Sequence, residues 1–272
     1  MSGTVHTGHT TDTEPSRAAE WWRACHYELR HLAALRSTWL LASIVALLAL
    51  WVPLAAPFLI ESSKDMTDPE LVNSVQWTPV LLQVPSLAVF LLVLGTGPVA
   101  TELLRGASRT TWLTTASRSH AFWAKCAVGA TIGVTVSAVT GLLEIAGLAV
   151  VAAAKGVHPP LWGQLIGATA RLGLWMACWM VLCPAVAALL RNRVGPVLVL
   201  VPPLGERILS ALSGQIPGVR LDLVADWLPF AAGRRMLSAD TVLDAFLGGV
   251  VLVAFTAAVA AAGHAVYARR TG

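Results

Sequence analysis

Thr101-Glu102-Leu103-Leu104-Arg105-Gly106-Ala107-Ser108-Arg109-Thr110-Thr111-Trp112, running on through Ser117-Arg118 to Lys125, is the stretch that organises this chain. It is a charged, Trp-bearing segment set between two long apolar runs, 78–100 before it and 126–153 after it. A helix that crosses a bilayer needs about 20 mostly apolar residues, and both runs exceed that length. The segment therefore reads as a loop between two membrane spans. Its three arginines and one lysine place it on the cytoplasmic side, where basic loops concentrate.

The rest of the chain agrees with a membrane setting. Of 272 residues, 56% are hydrophobic and only 12% are charged, whereas a soluble domain carries about 25% charged residues. The net charge of +4 is unevenly spread, so it speaks to topology and not to nucleic-acid binding. The four cysteines, Cys25, Cys126, Cys178 and Cys183, contain no CxxC pair and read as small apolar side chains. Residues 1–19 are polar and read as a disordered tail, His6 and His9 included, and no cleavable signal is evident.

Six spans are expected, at Trp39–Ile60, Thr78–Ala100, Cys126–Ala153, Leu172–Leu190, from Val194, and at Thr241–Ala268. The fifth is short. Val194 to Gly205 is 12 residues, about 18 Å of helix, less than a hydrocarbon core of about 30 Å. Glu206-Arg207 interrupts it after Pro202-Pro203. Either the helix continues through the charge pair or it breaks at the prolines. With both termini cytoplasmic, the inside segments hold twelve Lys and Arg and the outside segments seven, four of them in 206–240. The expected fold class is thus an all-α, multi-pass membrane protein of six transmembrane helices with both termini cytoplasmic.

Residues 20–38 precede the first span with helical periodicity: Trp22, Cys25, Leu29 and Leu32 form a stripe, and Arg23, Tyr27, Arg30 and His31 lie mostly off it. An amphipathic helix on the inner membrane surface fits, with Trp as anchor and Arg toward lipid phosphates. A straight extension of the first span is the alternative.

Motifs for chemistry are missing from the sequence. It has no GxxxxGK[ST] loop for ATP, no HExxH and no GxSxG. No enzyme activity and no cofactor on this chain are expected; energy for transport would come from another chain or from an ion gradient. One clear ionisable residue lies inside a span, Glu144, on a stripe of Gly129, Gly133, Ser137, Thr140 and Gly141 suited to close helix packing. Glu144 is 19 residues past Lys125, about 28 Å along a helix. It is read either as an outer-surface carboxylate, alone or paired with Arg171 or Lys155, or as a substrate-pathway residue. Trp175 and Trp179, one turn apart in the fourth span, are read as packing or lipid-facing residues that could also stack on a hydrophobic substrate. Asp244 and Arg171 read as interfacial anchors, and most of the eleven tryptophans as an aromatic belt.

With those residues in view, the pattern resembles the ABC-2 type permeases, in particular small actinobacterial ones encoded apart from their ATPase. The resemblance rests on Glu28-Leu29-Arg30 through Leu35-Arg36-Ser37-Thr38-Trp39 before the first span, and on Glu102, Arg105-Gly106, Ser117-Arg118 and Ala124-Lys125 around the loop. Asp226-Trp227-Leu228-Pro229-Phe230 before the last span matches a further element, and the six-span layout covers nearly the whole of 39–272. Ala107 stands where the family usually has Thr, and Ser117 where it has Pro. The resemblance implies that 102–118 is the coupling segment against an ATPase, with Glu102, Arg105, Arg109, Trp112 and Arg118 as its contact residues. It also implies short re-entrant helices within 206–240, marked by Glu206, Arg207 and Pro229. The implied partners are two copies of an ATPase subunit holding ATP and Mg, a second copy or a sister permease, membrane lipids, and a small-molecule or peptide substrate. The expected function is export of a hydrophobic or amphipathic compound, such as an antibiotic, a peptide or a lipid-like metabolite. The alternatives are a secondary transporter driven by an ion gradient and a non-transporting sensor or immunity subunit.

Overall fold

The structure, a computed structural model, describes residues 17–36, 38–40, 43–44, 47, 117–155, 162–190, 205–206, 208, 227–239 and 241–269. Five uninterrupted helices lie within them: α1 (Arg17–Ala34), α2 (Arg118–Lys155), α3 (Trp162–Leu190), α4 (Pro229–Ser238) and α5 (Val242–Ala268). The described residues contain no strand. Three helices are long and apolar enough to cross a membrane, over Arg118–Leu143 of α2, Ile166–Leu190 of α3 and Val242–Ala268 of α5. They are the third, fourth and sixth of the expected spans. Thr78–Ala100 and most of Trp39–Ile60 and of the fifth run lie outside the described residues, as does the tail 1–16.

The boundaries shift in instructive ways. α2 begins at Arg118, eight residues before the expected span, because Ser117 acts as its N-cap: its Oγ accepts from the His120 backbone N at 3.5 Å. α3 begins ten residues before the expected Leu172, at Trp162. α5 starts at its own capping residue, Thr241, whose Oγ1 accepts from Asp244 N at 3.1 Å. α1 takes in residues 17–19 and ends at Ala34, short of the expected 38.

α2 and α3 are antiparallel, and the small-residue stripe is their contact. A Cβ at Gly129 would meet Met180 O at 3.3 Å, one at Gly133 would meet Met176 C and O at 2.9 Å, and one at Gly141 would meet Thr169 Oγ1 at 2.6 Å. The glycines let backbone approach backbone. The stripe's hydroxyls satisfy themselves within the helix, Ser137 donating to Gly133 O and Thr140 to Val136 O, each at 2.9 Å. α5 runs parallel to α3, with Gly249 near Leu174, and a Cβ at Gly263 would meet Ala185 O at 2.8 Å. α3 is the centre of the packet. Its Trp175, Met176, Trp179, Met180, Leu182 and Cys183 form one core with residues of α4 and α5.

Candidate functional site

Two places combine charge with burial: a polar junction where α2 begins, and a half-length helix wedged at mid-depth.

The junction gathers α1, the first turns of α2 and the last turns of α5. Lys125, two turns into α2 and directly before its long apolar run, forms an ion pair with Glu28 of α1, and both side chains are buried. Glu20 of α1 approaches His120 Nδ1 at 3.7 Å, and the Trp21 ring meets the His120 ring edge-on at 6.4 Å. On the other side, Ser119 Oγ and His264 Nε2 share a hydrogen bond, tying α2 to α5. Phe122 packs between His264 and Tyr267, with ring centroids at 5.7 and 5.6 Å. The first two turns of α2 therefore hold two other helices by polar contacts between residues 97 and 145 positions apart in sequence.

The buried pair also sets the rotation of α1. The expected stripe ran through Trp22, Cys25, Leu29 and Leu32. The structure turns Ala24, Glu28 and Leu32 toward α2, and leaves Trp22 71% and Leu29 52% exposed. Pairing the buried Lys125 fixes that rotation, because a buried charge without its partner costs several kcal/mol. The helix breaks after Ala34, and Trp39 Nε1 donates to Ala33 O at 2.8 Å, closing the carbonyl end of α1.

The second place is α4. Its ten residues make about 15 Å of helix, half a membrane core. Gly233 lies directly on the Trp175 indole, and Gly248 of α5 lies under the Ala232 carbonyl. Neither position has room for a Cβ. Phe230 at the first turn meets Trp179 at 4.9 Å and Phe255 at 5.8 Å between ring centroids. Phe255 is 13 residues from each end of α5, so the N-terminus of α4 sits about 20 Å from either end.

The helix ends carry complementary charge. Leu228, the N-cap, supplies no side-chain cap. Glu206 does so from another part of the chain: its Oε1 accepts from Phe230 N at 3.2 Å, and Oε2 lies 3.8 Å from Arg234 Nη1. At the other end Arg171 Nη1 donates to Met236 O at 3.2 Å and Ala239 O at 2.8 Å. A carboxylate at the positive end and a guanidinium at the negative end both favour the helix dipole.

The expected site residues are distributed as follows. Glu102, Arg105, Arg109, Trp112 and Arg207 lie outside the described residues. Arg118 is half-buried at the first position of α2, one turn from the junction contacts. Glu206 and Pro229 meet at the start of α4, with Pro at the first helical position, where its missing N–H is no loss. Trp175 and Trp179 are buried, packed against Gly233 and Phe230, and their indole N–H groups have no acceptor among the described residues. Position 144 belongs to α2, while the Glu144 side chain lies outside the described residues. The antiparallel register puts position 144 opposite the region of Ile166, about 14 Å along α3 from Trp175. The three pathway candidates are thus not gathered in one place.

Arg171 and the Glu28–Lys125 pair were not legible as contacts. Arg171 read as an interfacial anchor and is a helix cap. The signal for Glu28 was present: a Glu at the packed position of a helix, four residues from Ala24 and from Leu32, needs a buried partner. Among the described residues no group of three His, Cys, Asp or Glu side chains is placed to hold a metal ion.

Among the described residues the fold defines a class: every regular element is a helix, and three helices are fit to cross a membrane. Comparison with protein-family models, with curated proteins and with solved structures gives no match.

Proposed function

We propose that the chain is the membrane subunit of a two-component exporter, an ABC-2 type permease driven by separate ATPase subunits. The observation that supports it best is the junction at the start of α2. The residues directly after the 102–118 segment hold α1 through Glu28–Lys125 and α5 through Ser119–His264. A push on 102–118 from a closing ATPase pair therefore acts on three helices at once. The chain's own residues transmit the motion, and ATP and Mg stay on the partner. α4, a half-span helix with charged ends between α3 and α5, is read as the re-entrant element. Two such subunits, identical or sister, enclose the path for a hydrophobic or amphipathic substrate. Both termini and the 102–118 segment lie in the cytoplasm of a bacterial cell.

The test is co-purification with a candidate ATPase subunit, sought first in the neighbouring reading frames, comparing wild type with Trp112→Ala plus Arg118→Ala. Loss of the complex, with the variant still folded, is the expected result; an undiminished complex removes the coupling assignment. An ion-driven secondary transporter would instead work without the ATPase and stop with Glu144→Gln. A sensor or immunity subunit would bind the ATPase and move no substrate.

A further inference from the structure

The outer face of α1 is unusual for its charge distribution. Both carboxylates of α1 are turned toward α2, Glu28 on Lys125 and Glu20 on His120. Arg23, His26 and Arg30 are left on the exposed side, around a shallow groove of about 500 Å³ that Trp22 and Tyr27 complete. Arg23 Nε donates to Ala19 O at 3.3 Å, which holds the side chain along the helix. Next to these cations Trp22 and Leu29 stand exposed.

The level of this face is set by its neighbours. α1 packs beside the first turns of α2, where the apolar span begins and Trp123 is 38% exposed. Its C-terminal end is closed by Trp39, at the head of the next apolar run. A helix at that level meets headgroups with its cations and acyl chains with its apolar side chains. An acidic protein surface would suit the arginines but would leave Trp22 and Leu29 without apolar partners.

We propose that the outer face of α1 binds the headgroups of anionic phospholipids, with the Arg23 and Arg30 guanidiniums on phosphate oxygens and Trp22 and Leu29 in the acyl boundary. The two arginines are seven residues apart, about 10 Å along the helix, so each takes its own phosphate. A guanidinium donates two parallel hydrogen bonds to one phosphate, which a zwitterionic headgroup matches less well because its own cation competes. The proposal goes beyond the permease reading and does not depend on it, since lipid retention needs no ATPase.

The experiment uses the full chain purified in a neutral detergent, with equal amounts of phosphatidylglycerol and phosphatidylcholine added, and bound lipids counted by native mass spectrometry. Wild type is expected to keep phosphatidylglycerol over phosphatidylcholine. Arg23→Gln with Arg30→Gln should weaken phosphatidylglycerol retention about 25-fold, at about fivefold for each cation. Both arginines are exposed, so helix content and melting in phosphatidylcholine should not change. Trp22→Ala should weaken retention of both lipids together, as loss of an apolar anchor does. Equal retention of the two lipids by wild type, or undiminished phosphatidylglycerol on the double variant, overturns the proposal; the latter result leaves this face to an acidic protein partner.

Discussion

The start of α2 and the wedge at α4 are held by different physics. At the junction, α1 and α5 are fixed by side chains reaching across helices: Lys125 to Glu28, Ser119 to His264. At the wedge, contact is backbone on ring and ring on ring: Gly233 on Trp175, Phe230 on Trp179 and Phe255. Charge at the wedge acts on the two ends of α4, through Glu206 and Arg171, with Glu206 also facing Arg234 one turn in. The difference teaches where motion is possible. A polar contact between exchangeable side chains can break and reform as helices tilt, whereas an indole seated on a glycine has one arrangement. The junction is suited to transmit a push and the wedge to keep its shape.

The largest expected effect tests the junction. Glu28→Ala strips the buried Lys125 of its ion-pair partner and should cost about 3–5 kcal/mol. It is read as a lowered melting temperature in detergent, together with faster maleimide labelling of Cys25. Burial, and the Glu28 charge after it, push the Cys25 thiol up from its ordinary pKa, so release of α1 should make it more reactive. Glu28→Leu with Lys125→Met should restore most of the stability; if it does not, the pair is more than a charge matched to a charge. At the wedge, Phe230→Ala should cost about 3 kcal/mol through the cavity it leaves between Trp179 and Phe255. A loss near zero would mean that the ring cluster collapses freely and that the wedge is not rigid.

Arg171→Gln removes a charged cap from α4 and should cost about 1.5–3 kcal/mol, with α5 unaffected. Hydrogen exchange at Met236–Ala239 would show the loosened carbonyl end; unchanged protection there would detach Arg171 from its assigned role. The smallest effect belongs to Ser119→Ala, about 1 kcal/mol for one hydrogen bond. If its loss proved as large as that of Glu28, the two arms of the junction would be equal, and α5 would be held as firmly as α1.

Much of this was legible before the structure. The third, fourth and sixth runs were long and apolar, and their helices follow from length alone. The stripe from Gly129 to Gly141 pointed to a close helix contact, and it is one: a Cβ at Gly133 would fall 2.9 Å from the Met176 backbone, which leaves room for glycine alone. Pro229 and Glu206 were singled out separately. That the carboxylate of one caps the helix begun by the other depends on a fold-back of more than twenty residues, which local pattern does not carry. The stripe on α1 is a similar case. Periodicity placed Trp22 and Leu29 on one face, and both are exposed; that Glu28 turns to Lys125 on a distant helix is not carried by local pattern.

α3 and α5 separate the two kinds of knowledge. Both are apolar all round, so the sequence by itself determined that each belongs in a membrane. Which of them sits at the centre was decided only by tertiary structure: 72% of the apolar stretch of α3 is buried inside the protein, against 28% for α5. Transfer from water to hydrocarbon is read from one side chain at a time. In hydrocarbon, protein and lipid contacts are equally apolar, so the choice between them passes to shape: which glycine admits which backbone, and where a buried charge finds its partner.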